Sequence, residues 1–142
     1  MKNHVQLLLV WVLATFLFGV NLVYAEDPKL IGVWKLTVPS KDESGKPCPF
    51  VPDSMEYFKD QTMVMSNFGS QHLPYKTTLS KDERMKIDQS IPAFKGKGVM
   101  LIKPNPNMDW LSTPMKYAYT IKSNELTLIL QGYTPAKFKK QK

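Results

Sequence analysis

A single cysteine, Cys48, rules out any disulfide within the chain. A lone thiol in an oxidising compartment stays free or pairs with another molecule. Histidine is almost as scarce, with only His4 and His72, and nucleophilic thiol chemistry needs a base beside the sulfur. Arginine occurs once, at Arg84. Proteins that read nucleic acid cluster their basic residues and favour the planar guanidinium fork, so the composition argues against a nucleic-acid partner. There is no glycine-rich phosphate loop, no histidine cluster and no Ser-His-Asp set. Asp82-Glu83 reads as a turn, and Asp109 beside Trp110 is one acid, which does not make a mechanism. These absences describe a non-catalytic chain with no cofactor.

The one long hydrophobic run lies at the N-terminus. Met1-Lys2-Asn3-His4 opens with a positive charge, Leu7–Val20 is fourteen residues without a charge, and Val23 and Ala25 are small or β-branched residues spaced for a signal peptidase. A charged start, an apolar core and a small-x-small exit define a secretory signal peptide. A spanning helix needs about 20 apolar residues, so the run is too short for a stable membrane anchor. The residue after Ala25 is Glu26, not a cysteine that could carry a lipid on the mature N-terminus. Residues 1–25 are expected to be removed, leaving one domain over 26–142, exported to the periplasm or the cell exterior. That domain carries eighteen basic and twelve acidic residues, a net charge of +6. It is large enough to bury a core without staples, and is expected to be a monomer.

The rest of the chain alternates short β-branched and aromatic runs with turn residues, the signature of strands. Strands are expected over 30–37, 55–59, 62–66, 74–79, 84–88, 98–103, 115–122 and 126–130, with a final one over 136–139. No segment shows a 3.6-residue apolar period. Two stretches break the rhythm. Residues 38–54 hold four prolines and Gly45, and residues 104–114 hold three more prolines with Met108, Trp110 and Leu111. Loops beyond about 12–15 residues are uncommon in compact domains and are often functional. About eight short strands joined by turns predict an all-β protein, an antiparallel up-and-down barrel or a sandwich. Strand alternation places Trp34, Met55, Tyr57, Tyr75, Met85, Ile87, Met100, Ile102, Tyr117, Tyr119, Leu126 and Leu128 inward.

Gly32-Val33-Trp34 in the first strand, the long loop behind it, and Tyr117-Ala118-Tyr119-Thr120-Ile121 near the end resemble the small lipocalin-like domains of exported bacterial proteins. The resemblance spans roughly residues 28–140. It implies an up-and-down barrel closed near the Gly-x-Trp and lidded at the other end by the first loop. Lipocalins also carry an arginine on the last strand that packs over this tryptophan. Here the last strand offers Lys137 or Lys139.

An eight-stranded barrel either fills with side chains or holds one small ligand. The expected ligand-binding residues are Tyr57, Tyr75, Met100, Tyr117, Tyr119 and Trp110, around a small apolar or amphipathic molecule. The alternative is a protein-interaction or inhibitory module of the envelope, with a filled barrel and an exposed Trp110 loop. Met63 and Met65 share a strand face, and soft thioethers select Cu(I). However, no Met-His or Cys-His pair occurs at ligand spacing, and methionine commonly fills irregular cores, so no metal is assigned.

Overall fold

A computed structural model describes residues 27–110 and 113–142. The expected signal segment lies outside them. Eight strands follow one another around a closed antiparallel barrel. They are β1 (Gly32–Val38), β2 (Ser54–Tyr57), β3 (Thr62–Met65), β4 (Leu73–Lys76), β5 (Gly98–Ile102), β6 (Met115–Lys122), β7 (Glu125–Ile129) and β8 (Ala136–Lys140). Closure comes from β8 pairing with β1, where Leu36 faces Phe138 and Trp34 faces Lys140. Closing a sheet on itself removes its free edges. Among the described residues no helix is long and apolar enough to cross a membrane.

The sheet buries alternate side chains, as a pleated strand must. Trp34, Met55, Tyr57, Met63, Met65, Leu73, Tyr75, Met100, Ile102, Tyr117, Leu126, Leu128, Ala136 and Phe138 form one buried cluster inside the barrel. Four of these are fully buried methionines, whose flexible thioethers suit an irregular interior.

The expected strand over 84–88 does not exist. Lys81–Ser90 is instead an α-helix, α1. Ser80 caps it: its side chain accepts from the Glu83 amide at 3.1 Å, and the Glu83 carboxylate accepts from the Ser80 amide at 3.1 Å. This is the reciprocal Ser-x-x-Glu capping box. Glu83 also takes a hydrogen bond from Lys76 at 2.9 Å. That bond, with the Ser80 amide, holds the Glu83 carboxyl below its usual range. Arg84 ties the helix to the following segment, donating to the carbonyls of Lys97 at 2.6 Å and Phe94 at 2.8 Å.

The helix lies against the outside of the barrel. Ile87, Ile91 and Phe94 pack on Val99, Leu101 and Ala118 of β5 and β6. Strand β5 is therefore covered on both faces, which accounts for its unbroken Val99-Met100-Leu101-Ile102 run. Two inward assignments change with the helix. Met85 is about half exposed, and Ile87 is buried outside the barrel rather than within it.

Candidate functional site

The connections β1–β2, β3–β4, β5–β6 and β7–β8 all meet at one end of an up-and-down barrel. The first of them covers that end. It is held by backbone hydrogen bonds in place of regular structure: Cys48 donates to the Ser40 carbonyl at 2.9 Å, and Lys41 and Thr134 exchange bonds at 2.9 Å. The Ser40 hydroxyl donates to the Thr134 carbonyl. Asp42 caps a tight turn by accepting from the amides of Ser44 and Lys46, both at 2.9 Å. These bonds, with that of the Ser44 hydroxyl foremost, hold its carboxyl low. The Asn67 side chain donates to the Pro49 carbonyl at 3.0 Å.

Tyr117 fastens the same loop from inside the barrel. Its hydroxyl donates to the Phe50 carbonyl at 2.7 Å, with the Met115 sulfur 3.6 Å away. Burial pushes the Tyr117 phenol well above its ordinary range, and the neighbouring Cys48 adds to the shift. Cys48 itself is buried in the loop, and burial raises its thiol as well. Phe50 remains exposed, its ring standing at the rim.

Between this loop and the far rim lies a cleft of about 430 Å³. Phe50, Phe68, Pro104, Pro114, Met115 and Leu130 form its apolar walls, Tyr117 is among its lining residues, and Lys116 is its one charged residue. All four connections at this end contribute. The cleft falls within the size range of small-molecule sites, which are mostly apolar with a few placed polar groups.

Of the six residues expected to bind a ligand, only Tyr117 lines this cleft. Tyr57, Tyr75 and Met100 are buried in the interior cluster. The Tyr57 hydroxyl donates to the sulfurs of Met100 at 3.3 Å and Met55 at 3.5 Å. Its ring meets Tyr75 edge-on, centroids 5.0 Å apart. Burial, followed by the neighbouring tyrosines Tyr117, Tyr75 and Tyr119, drives its phenol far above the ordinary range.

Tyr119 belongs to the opposite end. Its hydroxyl donates to Asp27 at 3.1 Å, while the Asp27 amide donates to Thr77 at 3.0 Å. Gly98 opposite leaves room for the ring, since a Cβ there would meet it at 2.9 Å. Trp110 is not an exposed tip. It packs on the outer wall with the helix cluster, and the ammonium groups of Lys103 and Lys76 lie 4.6 and 5.0 Å from its ring. Cation–π contacts of this kind hold a tryptophan against a surface.

The residues that sequence reasoning missed are Phe50, Phe68, Pro104, Pro114, Met115 and Leu130. They sit in or beside the connections, where strand alternation gives no facing. The two proline-rich loops were the available signal. His72 stacks near Phe58 at 4.8 Å and shares a 3.0 Å hydrogen bond with Thr62. Among the described residues no group of three His, Cys, Asp or Glu is placed to hold a metal ion. Comparison with known proteins finds no matching family model, no matching curated protein and no matching solved structure.

Proposed function

We propose that this chain is an exported, non-catalytic binding protein of lipocalin-like build, which holds a small apolar or amphipathic molecule at the mouth of its barrel. The observation that carries this reading is the apolar cleft beneath Phe50, floored by a fastened tyrosine on a rigid barrel. Three details at the other end support the lipocalin-like part. A 3-10 turn, Pro28–Leu30, precedes Gly32-Val33-Trp34. Trp34 donates its indole N–H to the Leu30 carbonyl at 2.8 Å. Lys140 crosses the Trp34 ring at 5.5 Å, in the role those domains give to an arginine.

A second reading has its own observation. The barrel interior is occupied by buried side chains, so the cleft opens at the rim and suits an apolar side chain of a protein partner as well. That reading makes the protein an interaction or inhibitory module of the envelope.

Native mass spectrometry of the purified mature protein separates the two. A co-purifying small molecule that is lost in Phe50→Asp supports the binder. Phe50 is an exposed rim residue whose backbone carbonyl, not its ring, takes the Tyr117 bond, so the variant is expected to fold. A bare monomer that also fails to bind apolar dyes overturns the small-molecule reading in favour of the partner.

A further inference from the structure

We propose that the molecule held in the mouth cleft is an aromatic acid, a rigid planar ring system that carries a carboxylate. This deepens the binding reading above and rests on it. The cleft is closed from below. Tyr117 and Leu130 are its buried lining residues. Met100 and Ile102 stand opposite Tyr117 and Met115 across the β5–β6 ladder, and both are buried inside the barrel. With the interior filled by side chains, an extended acyl chain would leave most of its length in water. Each methylene left there forfeits roughly fourfold in affinity. The space suits a compact guest.

The walls select the shape of that guest. Four of them are rings: Phe50, Phe68, Pro104 and Pro114. The two phenyl groups ride on turns that are tied together. Asn67 donates to the Pro49 carbonyl at 3.0 Å, which joins the residue before Phe68 to the residue before Phe50. Tyr117 fixes the Phe50 carbonyl at 2.7 Å. Phe68 ends a 3-10 turn, Ser66–Phe68, and packs on the core cluster. Among the described residues the two rings do not stack on each other, which leaves their aromatic contacts to a guest. A planar ring between them gains offset or edge-on contacts worth about two- to tenfold in affinity beyond its area, and the Met115 sulfur favours a ring as well. Preorganised walls also suit a rigid molecule, which loses few rotamers on binding. The charge follows from Lys116, the one charged lining residue. It is exposed on β6 between Met115 and the buried Tyr117, so strand alternation turns it to the outer lip. A carboxylate paired there stays partly hydrated and avoids the cost of burying a charge. The ring therefore lies inward between Phe50 and Phe68, with the acid outward beside Lys116.

The test is isothermal titration of the mature protein with naphthoate, decanoate and naphthalenemethanol. The two acids share a charge and are similar in apolar size, and the alcohol keeps the ring without the charge. Naphthoate is expected to bind about tenfold tighter than decanoate, with ring-current shifts in the NMR signals of the Met115 and Leu130 methyl groups. Lys116→Gln should weaken naphthoate about threefold, the scale of an exposed ion pair, and leave naphthalenemethanol unchanged. Phe68→Leu keeps an apolar wall and removes its ring, so naphthoate should weaken about fivefold and decanoate less than about twofold. The ligand series on the unaltered chain decides the matter even if that variant does not fold. Decanoate binding as tightly as naphthoate overturns the aromatic guest and leaves the binding reading standing. Naphthoate affinity unchanged in Lys116→Gln overturns the acid, and shifts confined to residues away from the cleft overturn its placement. Binding of none of the three overturns the proposal, whereas a bare monomer that also rejects apolar dyes overturns the binding reading with it.

Discussion

Trp34 is held from three directions. Its indole N–H is satisfied by Leu30, its ring is fully buried, and Lys140 lies across one face. Gly32 makes this crossing possible: a Cβ there would come within 2.9 Å of the Lys140 side chain, and its φ of +124° is one that side-chain-bearing residues rarely adopt. Replacing Trp34 with Ala is expected to cost about 3–5 kcal/mol, as for other buried aromatics, measured by urea unfolding. A loss below about 1 kcal/mol would remove Trp34 from the core. The Gly-x-Trp was legible because glycine and tryptophan are each distinctive at this spacing. With the last strand expected to end at Lys139, the sequence offers only Lys137 or Lys139 where lipocalins carry an arginine, one residue short of the cation that lies over the ring. Alternation outward from the buried Ala136 and Phe138 turns Lys140 inward and Lys137 and Lys139 outward. The strand runs one residue further than expected, to Lys140, and parity decides the cation.

At the scale of elements, α1 was the miss, and its physical cause is composition. Only Ile87 of its ten residues is buried, so no apolar stripe repeats at helical spacing, and Met85-x-Ile87 imitates a strand. The signal that was present is Ser80-x-x-Glu83, a start site rather than a periodicity. Because so little of the helix is buried, its cap matters more to it than to a deeply packed helix. Ser80→Ala should cost about 1 kcal/mol, and Ser80→Asp should recover most of that, since Asp caps equally well. Hydrogen exchange of the helix amides checks this locally. Protection lost throughout the barrel, rather than over residues 81–90, would show that the helix does not open as a separate unit. Removing the helix from the strand count also explains why the barrel order survived a wrong element. The expected last strand, 136–139, is the eighth and supplies the closure with β1. The mouth cleft was not legible at this level. Its walls come from four connections that meet only when the barrel closes, and no residue pattern within one connection marks them.

For the whole molecule, the interior makes stability depend on pH from the alkaline side. Tyr57 and Tyr117 are buried with their hydroxyls turned to sulfur and to a backbone carbonyl, all of them acceptors that favour the neutral phenol. Both groups keep their protons in the folded state well past the pH at which an exposed tyrosine loses them. The sign follows from linkage. A raised folded pKa contributes stability in full below the unfolded value, about 10 for tyrosine, and that stability drains as pH rises toward the folded value. Above pH of about 10 the unfolded chain gives up two protons that the folded chain holds, so stability should fall by roughly 2–3 kcal/mol per pH unit. Unfolding in urea from pH 8 upward is expected to show a flat region, then a fall of this slope, with tyrosinate absorbance of these two residues appearing at the unfolding transition and not before it. Tyr57→Phe isolates one group. Thioether sulfur is a weak acceptor, so its loss should change stability at neutral pH by less than about 1 kcal/mol, while roughly halving the alkaline slope. An unchanged slope would mean that Tyr57 ionises freely in the folded protein, and that the barrel interior admits water to the phenol beside Met55 and Met100.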